Sequence, residues 1–228
     1  MICSLRTTKF AAVDLQLIAR ATNRRQAEGG VACAAVWTSG AVRPLVQTGV
    51  RPAPQFMNPR ESREFLGMLA DLAHDGYTLV TWDGMRRLWN GLAWASGDRV
   101  LCRQLASAHV DMMFHLVCVR GHRLSLSRAA EEMGLSTVPT DRRNELWQSG
   151  QWFTLLEHVA QDAQTTLKLA ERCQLLGKML WRAGSGQIAS LSLPEGWLCV
   201  NDALRLPTPD VAGLYRPASR RALTAWMY

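Results

Sequence analysis

Residues 10–18, FAAVDLQLI, constrain this chain more than any other stretch. Successive side chains of a β-strand point to opposite faces, so Ala11, Val13, Leu15 and Leu17 share one side and Phe10, Ala12, Asp14 and Gln16 the other. The segment is apolar enough to lie in the middle of a sheet. A carboxylate held there, that of Asp14, carries a desolvation cost unless a metal, a cation or several donors meet it.

The flanking segments extend that sheet. VACAAVWT (31–38) and AVRPLVQ (41–47), joined through Ser39-Gly40, predict a hairpin. NPRESREFLGMLADLAHDG (58–76) predicts a helix with Asn58 as cap, Pro59 in the first turn and Gly76 at the stop. YTLVTW (77–82) is a short buried strand, so the first half predicts an α/β fold, a mixed sheet with helices packed on it. The second half is mostly helical. Ser127 is the expected cap of LSLSRAAEEMG (124–134), which Gly134 closes, and the longest helical periodicity runs over 152–181. STVPTDRRNELWQSG (136–150), between them, is a loop with one short helix. The Gly-, Pro- and Ser-rich tail predicts an extended segment anchored by Trp197 and Trp226, which divides the chain into a domain over 1–183 and a C-terminal extension over 184–228 packed on it.

Composition narrows the partners. With 228 residues, 48% of them hydrophobic, the chain buries a real core and is not generally disordered. Its 26 Lys and Arg against 19 Asp and Glu leave a net charge of +7, and arginine far outnumbers lysine, which favours forked contacts with phosphate. The six cysteines show neither a Cys-x-x-Cys nor a spacing for zinc or a disulfide framework, and are expected as reduced, mostly buried thiols. No apolar run approaches the ~20 residues needed to cross a bilayer, and the start MICSLRTTKF has no signal-peptide core, so a soluble cytoplasmic protein without membrane partners is expected.

The long periodic stretch holds a second carboxylate. Val159, Ala163, Thr166 and Ala170 mark its inward face, and Asp162 lies on that side with His158 one turn before it. A His and Asp pair tying down a helix accounts for this; two inward carboxylates from distant segments favour a shared metal instead. His74, His109, His115 and His122 have no metal-ligand spacing and are expected as structural or surface residues.

GVACAAV (30–36), LVTWDG (79–84), HVDMMFH (109–115), LEHVAQDAQTTLKLA (156–170) and GWLCVNDALRLPTPD (196–210) together resemble bacterial predicted 3′-to-5′ exonucleases. These belong to the DEDD group, the DnaQ-like members of the RNase H-like superfamily, and are related to the proofreading exonuclease domain of family B DNA polymerases. The resemblance runs in order from Asp14 to Trp226. It implies a five-stranded mixed sheet flanked by helices, and four acids holding two divalent metals, Mg²⁺ or Mn²⁺, that activate water against a phosphodiester.

Carried over position by position, the resemblance leaves that acid set incomplete. The first motif, Asp-x-Glu, falls on Asp14-Leu15-Gln16, with Gln in place of Glu. The second, Trp-Asn-Gly-x-Gly-Phe-Asp, falls on Trp82 to Leu88, which puts Leu88 where an Asp belongs and Arg86-Arg87 where the Gly-Phe belongs. The third is met by His158 and Asp162, and Asp111 matches a supporting position. Catalytic roles therefore fall to Asp14, His158 and Asp162 and metal binding to Asp14 and Asp162, while Gln16 and Leu88 are degenerate positions. Asp83 is a second supporting acid, five residues early for the missing ligand.

Two acids remain near two arginines, and repulsion of a metal by a cation ~4 Å away is worth about 1–4 kcal/mol, so tight binding of two metals is not expected. Three readings stand. In the first, the chain is a catalytically impaired nucleic-acid-binding pseudo-nuclease, with Arg86 and Arg87 holding phosphate and single-stranded DNA ahead of RNA as partner. In the second, it is an active one- or two-metal exonuclease on single-stranded DNA or RNA, completed by Asp83 or by a protein partner. In the third, it is a protein-binding scaffold that uses some of its nine tryptophans.

Overall fold

The computed structural model describes residues 8–19, 29–49, 55–138 and 142–228. Cys3, the start of the chain and residues 139–141 of the expected loop lie outside the described residues. The apolar run becomes the long strand β1 (Lys9–Ala19), which pairs antiparallel with β2 (Gly29–Thr38), itself antiparallel to β3 (Leu45–Thr48). On its other side β1 runs parallel to β4 (Tyr77–Thr81), and β4 runs parallel to β5 (Val110–Asp111). The spatial order β3-β2-β1-β4-β5 makes a five-stranded mixed sheet with β1 at its centre.

Helices cover both faces. In chain order they are α1 (Pro59–His74), α2 (Leu88–Ser96), α3 (Arg99–Ala108), α4 (Met112–Arg120), α5 (Leu126–Glu131), α6 (Arg143–Gln148) and α7 (Trp152–Leu176). A hairpin of β6 (Lys178–Arg182) and β7 (Ile188–Ser192) follows, then α8 (Val200–Leu204), α9 (Arg220–Thr224) and a 3₁₀ turn, Ala225–Met227. The alternation in β1 separates two cores: Ala11, Val13 and Leu15 pack with Phe65, Leu69, Trp89 and Leu92 on one face, while Phe10 and Ala12 pack with Leu167, Leu169 and Ala170 on the other. Cys33 and Ala35 of β2 meet Leu155, Val159 and Ala163 of α7.

Local signals place the ends of these elements. The Asn58 side chain accepts from the amides of Arg60 and Glu61, at 2.9 and 3.0 Å, and the Glu61 carboxylate accepts from the Asn58 amide at 2.8 Å, closing a capping box on α1. Three expectations need correction. Ser125, not Ser127, caps α5, because the helix begins at Leu126 and the Ser125 hydroxyl reaches the Arg128 amide. The long helix stops at Leu176: Gly177 takes φ +63, and the apolar residues beyond it follow a strand period, with Met179 and Trp181 buried on one face of β6.

The tail, third, is not extended throughout but contains β7, α8 and α9. The β6–β7 hairpin spans the boundary drawn after residue 183, and Leu223 and Met227 enter the same core as Trp89. The indole N–H of Trp197 donates to the Ala170 carbonyl at 3.1 Å, and that of Trp226 to the Met85 carbonyl at 2.7 Å. Among the described residues no helix is long and apolar enough to cross a membrane.

Candidate functional site

The carboxyl ends of the three parallel strands β1, β4 and β5 meet at one edge of the sheet, the usual place for a ligand in an α/β fold. Asp14 and Gln16 share strand parity with Phe10 and Ala12 and so face the α7 side. There α7 presents Asp162, buried with Val159, Ala163 and Thr166, and the two carboxylates face one space.

A guanidinium lies between them. Arg143, the first residue of α6, is 2% exposed. Its Nη1 donates to Asp14 Oδ2 at 3.0 Å and to Gln16 Oε1 at 3.4 Å, and its Nη2 donates to Asp162 Oδ2 at 2.7 Å and to the His158 carbonyl at 3.0 Å. Four acceptors thus meet the four terminal N–H groups of one side chain. Gln16 completes the set from its other end, since its Nε2 donates to the Leu17 carbonyl at 2.7 Å, a bond that a glutamate could not make. Burial pushes the Asp162 carboxyl up, and the Asp14 charge adds to the rise, while Arg143 pulls it back. The Oδ1 of Asp162 and the Nδ1 of His158 are buried without partners among the described residues, and His158 serves the site through its backbone carbonyl.

A second arrangement lies across the cleft, in the turn from β4 to α2. Asp83 adopts φ +63, which aspartate tolerates better than most residues. The buried Asp111 holds this turn by accepting from the amides of Asp83, Met85 and Phe114, at 3.1, 2.7 and 3.0 Å. Burial pushes the Asp111 carboxyl up to about 7 against the pull of those amides. Asp83 is itself spoken for: Arg86 Nε donates to it at 2.8 Å, and Arg123 Nη2 reaches both its oxygens at 3.0 Å. Arg86 is therefore paired with Asp83, which it shares with Arg123, and the cation between Asp14 and Asp162 is Arg143. Arg87 lines the cleft with no hydrogen-bond partner for its guanidinium among the described residues, and its charge acts on Asp162.

Leu88 and Trp89 turn the other way, into the core beneath the sheet. Leu88 is 3% exposed and does not line the cleft. The indole N–H of Trp89 donates to His109 Nε2 at 2.9 Å, and the Thr81 hydroxyl meets the same nitrogen at 3.1 Å. His109 Nδ1 lies 2.7 Å from the Ala106 carbonyl, to which it donates, so the ring is neutral, and its burial lowers its pKa to about 4. The cleft between the two arrangements encloses about 400 Å³, lined by Asp14, Asp162, Trp82, Asp83, Arg86, Arg87, Arg123 and neighbours from 124–126.

Sequence reasoning brought Asp14, Gln16, His158 and Asp162 to one place and missed Arg143 and Arg123. Only the fold marks Arg143 as inward. It shares a helical face with Leu146 and Trp147, and Leu146 is buried, so that face points inward and carries an arginine.

The residues do not fit a pair of divalent ions. Among the described residues no group of three His, Cys, Asp or Glu side chains converges as a metal centre would need. The oxygens of Asp14, Gln16 and Asp162 that face one another already accept from Arg143, whose charge would repel any ion placed there.

No family model matches the sequence, and no curated protein does. By structure the chain is similar to the family B DNA polymerase from the hyperthermophilic archaeon Pyrobaculum calidifontis, with a TM-score of 0.54 and 20% identity over 73% of this chain. The chain spans only 24% of that polymerase. It is also similar to a 3′-exonuclease described for 3′-end specific recognition of a histone mRNA stem-loop, with a TM-score of 0.46 and 12% identity, covering 85% of this chain and 75% of that one. The five-stranded mixed sheet flanked by helices is an RNase H-like fold.

Proposed function

We propose that this chain is a nucleic-acid-binding protein that keeps an exonuclease-like fold but does not hydrolyse its ligand. The observation that carries the reading is the Arg143 guanidinium bridging Asp14 and Asp162. It takes the acceptors that a catalytic dication would need and leaves none of the preorganised metal charge that phosphodiester hydrolysis requires. The cleft above supports the binding half of the proposal. Arg87 has no hydrogen-bond partner for its guanidinium among the described residues, Arg86 and Arg123 stand around Asp83, and Trp82 offers an aromatic wall. Arginines beside an aromatic surface suit a single-stranded backbone and its bases, with single-stranded DNA as the first ligand to test.

The test uses the full chain with a 5′-labelled single-stranded DNA and Mg²⁺ or Mn²⁺. The expected result is salt-sensitive retention of the DNA without shortening. Shortening from the 3′ end that disappears in Asp162→Ala would establish an active nuclease, and no retention at low salt would remove single-stranded DNA as the partner.

A further inference from the structure

We propose that Arg143 is the resident cation of this site: α6 delivers a permanent internal counter-ion to Asp14, Gln16 and Asp162, and its guanidinium and a divalent ion are mutually exclusive occupants. The inference deepens the reading of a non-hydrolysing fold and rests on it only for the location of the site.

Three observations carry it. The first is stoichiometry. Four acceptors converge on the four terminal N–H groups of one guanidinium, at 2.7 to 3.4 Å, and the side chain that makes these bonds is 2% exposed. A surface arginine that drifted into a cleft would keep part of its hydration; the terminal nitrogens of this one have exchanged it for protein oxygens, and Nε alone has no partner among the described residues. The second is the amide at position 16. Its oxygen faces Arg143 while its nitrogen donates to the Leu17 carbonyl, so the residue is matched to a +1 centre. A third carboxylate would have left two uncompensated negative charges around one arginine. The third is Asp162 Oδ1, buried with no partner among the described residues: the four terminal N–H groups of the guanidinium are taken, and its Nε, also without a partner, does not reach this oxygen. A hard divalent ion with open coordination positions could take up that oxygen once the arginine is gone.

The experiment is Mn²⁺ binding, read from the loss of the free-ion electron paramagnetic resonance signal and from the melting temperature, in the full-length wild type, Arg143→Ala, Arg143→Lys and Arg143→Ala/Asp162→Asn. The wild type is expected to take up no Mn²⁺ at this site and to show no Mn²⁺-dependent change in melting. Arg143→Ala leaves two carboxylates without their cation and should melt about 10 °C lower. It should then bind one Mn²⁺ and recover about 5 °C or more at saturating ion. Adding Asp162→Asn should abolish both. Arg143→Lys retains the charge with three donors for four acceptors and should fold without taking up Mn²⁺.

Uptake of Mn²⁺ by the wild type that is lost in a further, single variant, Asp162→Asn, overturns the proposal. So does an Arg143→Ala chain that folds without binding Mn²⁺, or that stays unfolded at millimolar Mn²⁺. These outcomes are separate from single-stranded DNA retention by the wild type, which can fail while the Mn²⁺ results stand, or hold while they fall.

Discussion

Gln16 and Arg143 are matched across 127 positions of chain, and each explains the other's identity. One guanidinium between two carboxylates leaves a local charge of −1, which the amide of Gln16 does not increase. Gln16→Glu would raise it to −2 and set a carboxylate oxygen against the Leu17 carbonyl, where the amide nitrogen now donates. Leaving that carbonyl unpaired beside a buried charge costs about 1–3 kcal/mol, so the variant should melt roughly 4–10 °C lower at pH 8 and lose less at pH 5, where the new carboxyl holds its proton. An equal loss at both values would show that charge is not the cause.

His109 offers a second test at this scale. It takes up a proton near its ordinary value of 6.5 when unfolded but only at about 4 in its buried position. Its contribution to stability is therefore present above pH 6.5 and lost as the pH falls through about 4, a separation worth about 3 kcal/mol. Asp111, raised to about 7, works in the opposite direction, with a contribution present below about pH 4 and lost as the pH rises through 7. Global melting would blend the two, so the measurement is the ring-proton NMR titration of His109, which should stay neutral at pH 5. A midpoint near 6.5 would refute its buried, donor-satisfied state. The acids at 14 and 162 were legible because each interrupts an apolar periodicity. Arg143 was not, because charge on a six-residue helix reads as solvated until the helix has something to pack against.

At the scale of elements, the segment from β4 to α2 is where local pattern and tertiary role diverge. The strand and the cap of α1 followed from period and turn chemistry alone, whereas the expected hairpin forms with a longer connection, β3 beginning at Leu45 rather than straight after Ser39-Gly40. That the turn after β4 would spend its arginine on its own Asp83, and α2 its Leu88 on the core, follows instead from two contacts distant in sequence: Arg123 reaching Asp83, and Asp111 gripping the turn amides. Gly84 makes the turn close enough for both. A Cβ there would come within 2.2 Å of the Thr81 hydroxyl oxygen and 2.7 Å of its Cβ. Thr81 cannot move aside freely, because its hydroxyl is hydrogen-bonded to buried His109. Gly84→Ala should overpack the turn by about 1–3 kcal/mol and lower the melting temperature by about 5 °C. Thr81→Ser, which removes one methyl, should recover less than half of that, since the oxygen still clashes. An unchanged melting temperature for Gly84→Ala would mean that the turn has room the geometry denies.

Across the whole molecule, a net charge of +7 is not spread evenly over function. Arg143 is buried against two acids, Arg220 caps carbonyls at Leu206 and Cys118, and Arg86 and Arg123 share Asp83, so much of the arginine content is structural. Composition alone could not separate these roles; only the folded chain shows which guanidiniums have protein partners. In the cleft that leaves Arg87 as the cation with no partner among the described residues and Arg86 as one already paired. The proposed single-stranded ligand should register that difference. Each phosphate contact that releases a counter-ion from a single strand contributes about 0.7 to the slope of log affinity against log salt. Arg87→Ala should therefore lower the slope by about 0.7 and weaken binding to all sequences alike, because a phosphate contact carries no base information. Arg86→Ala should change the slope less, since a phosphate must compete there with Asp83, and it should instead cost stability in the turn. Both slopes are read from fluorescence anisotropy of a labelled oligonucleotide over a salt series. If Arg86→Ala lowers the slope as much as Arg87→Ala, the Asp83 pair opens on binding; if neither does, the strand does not run through this cleft.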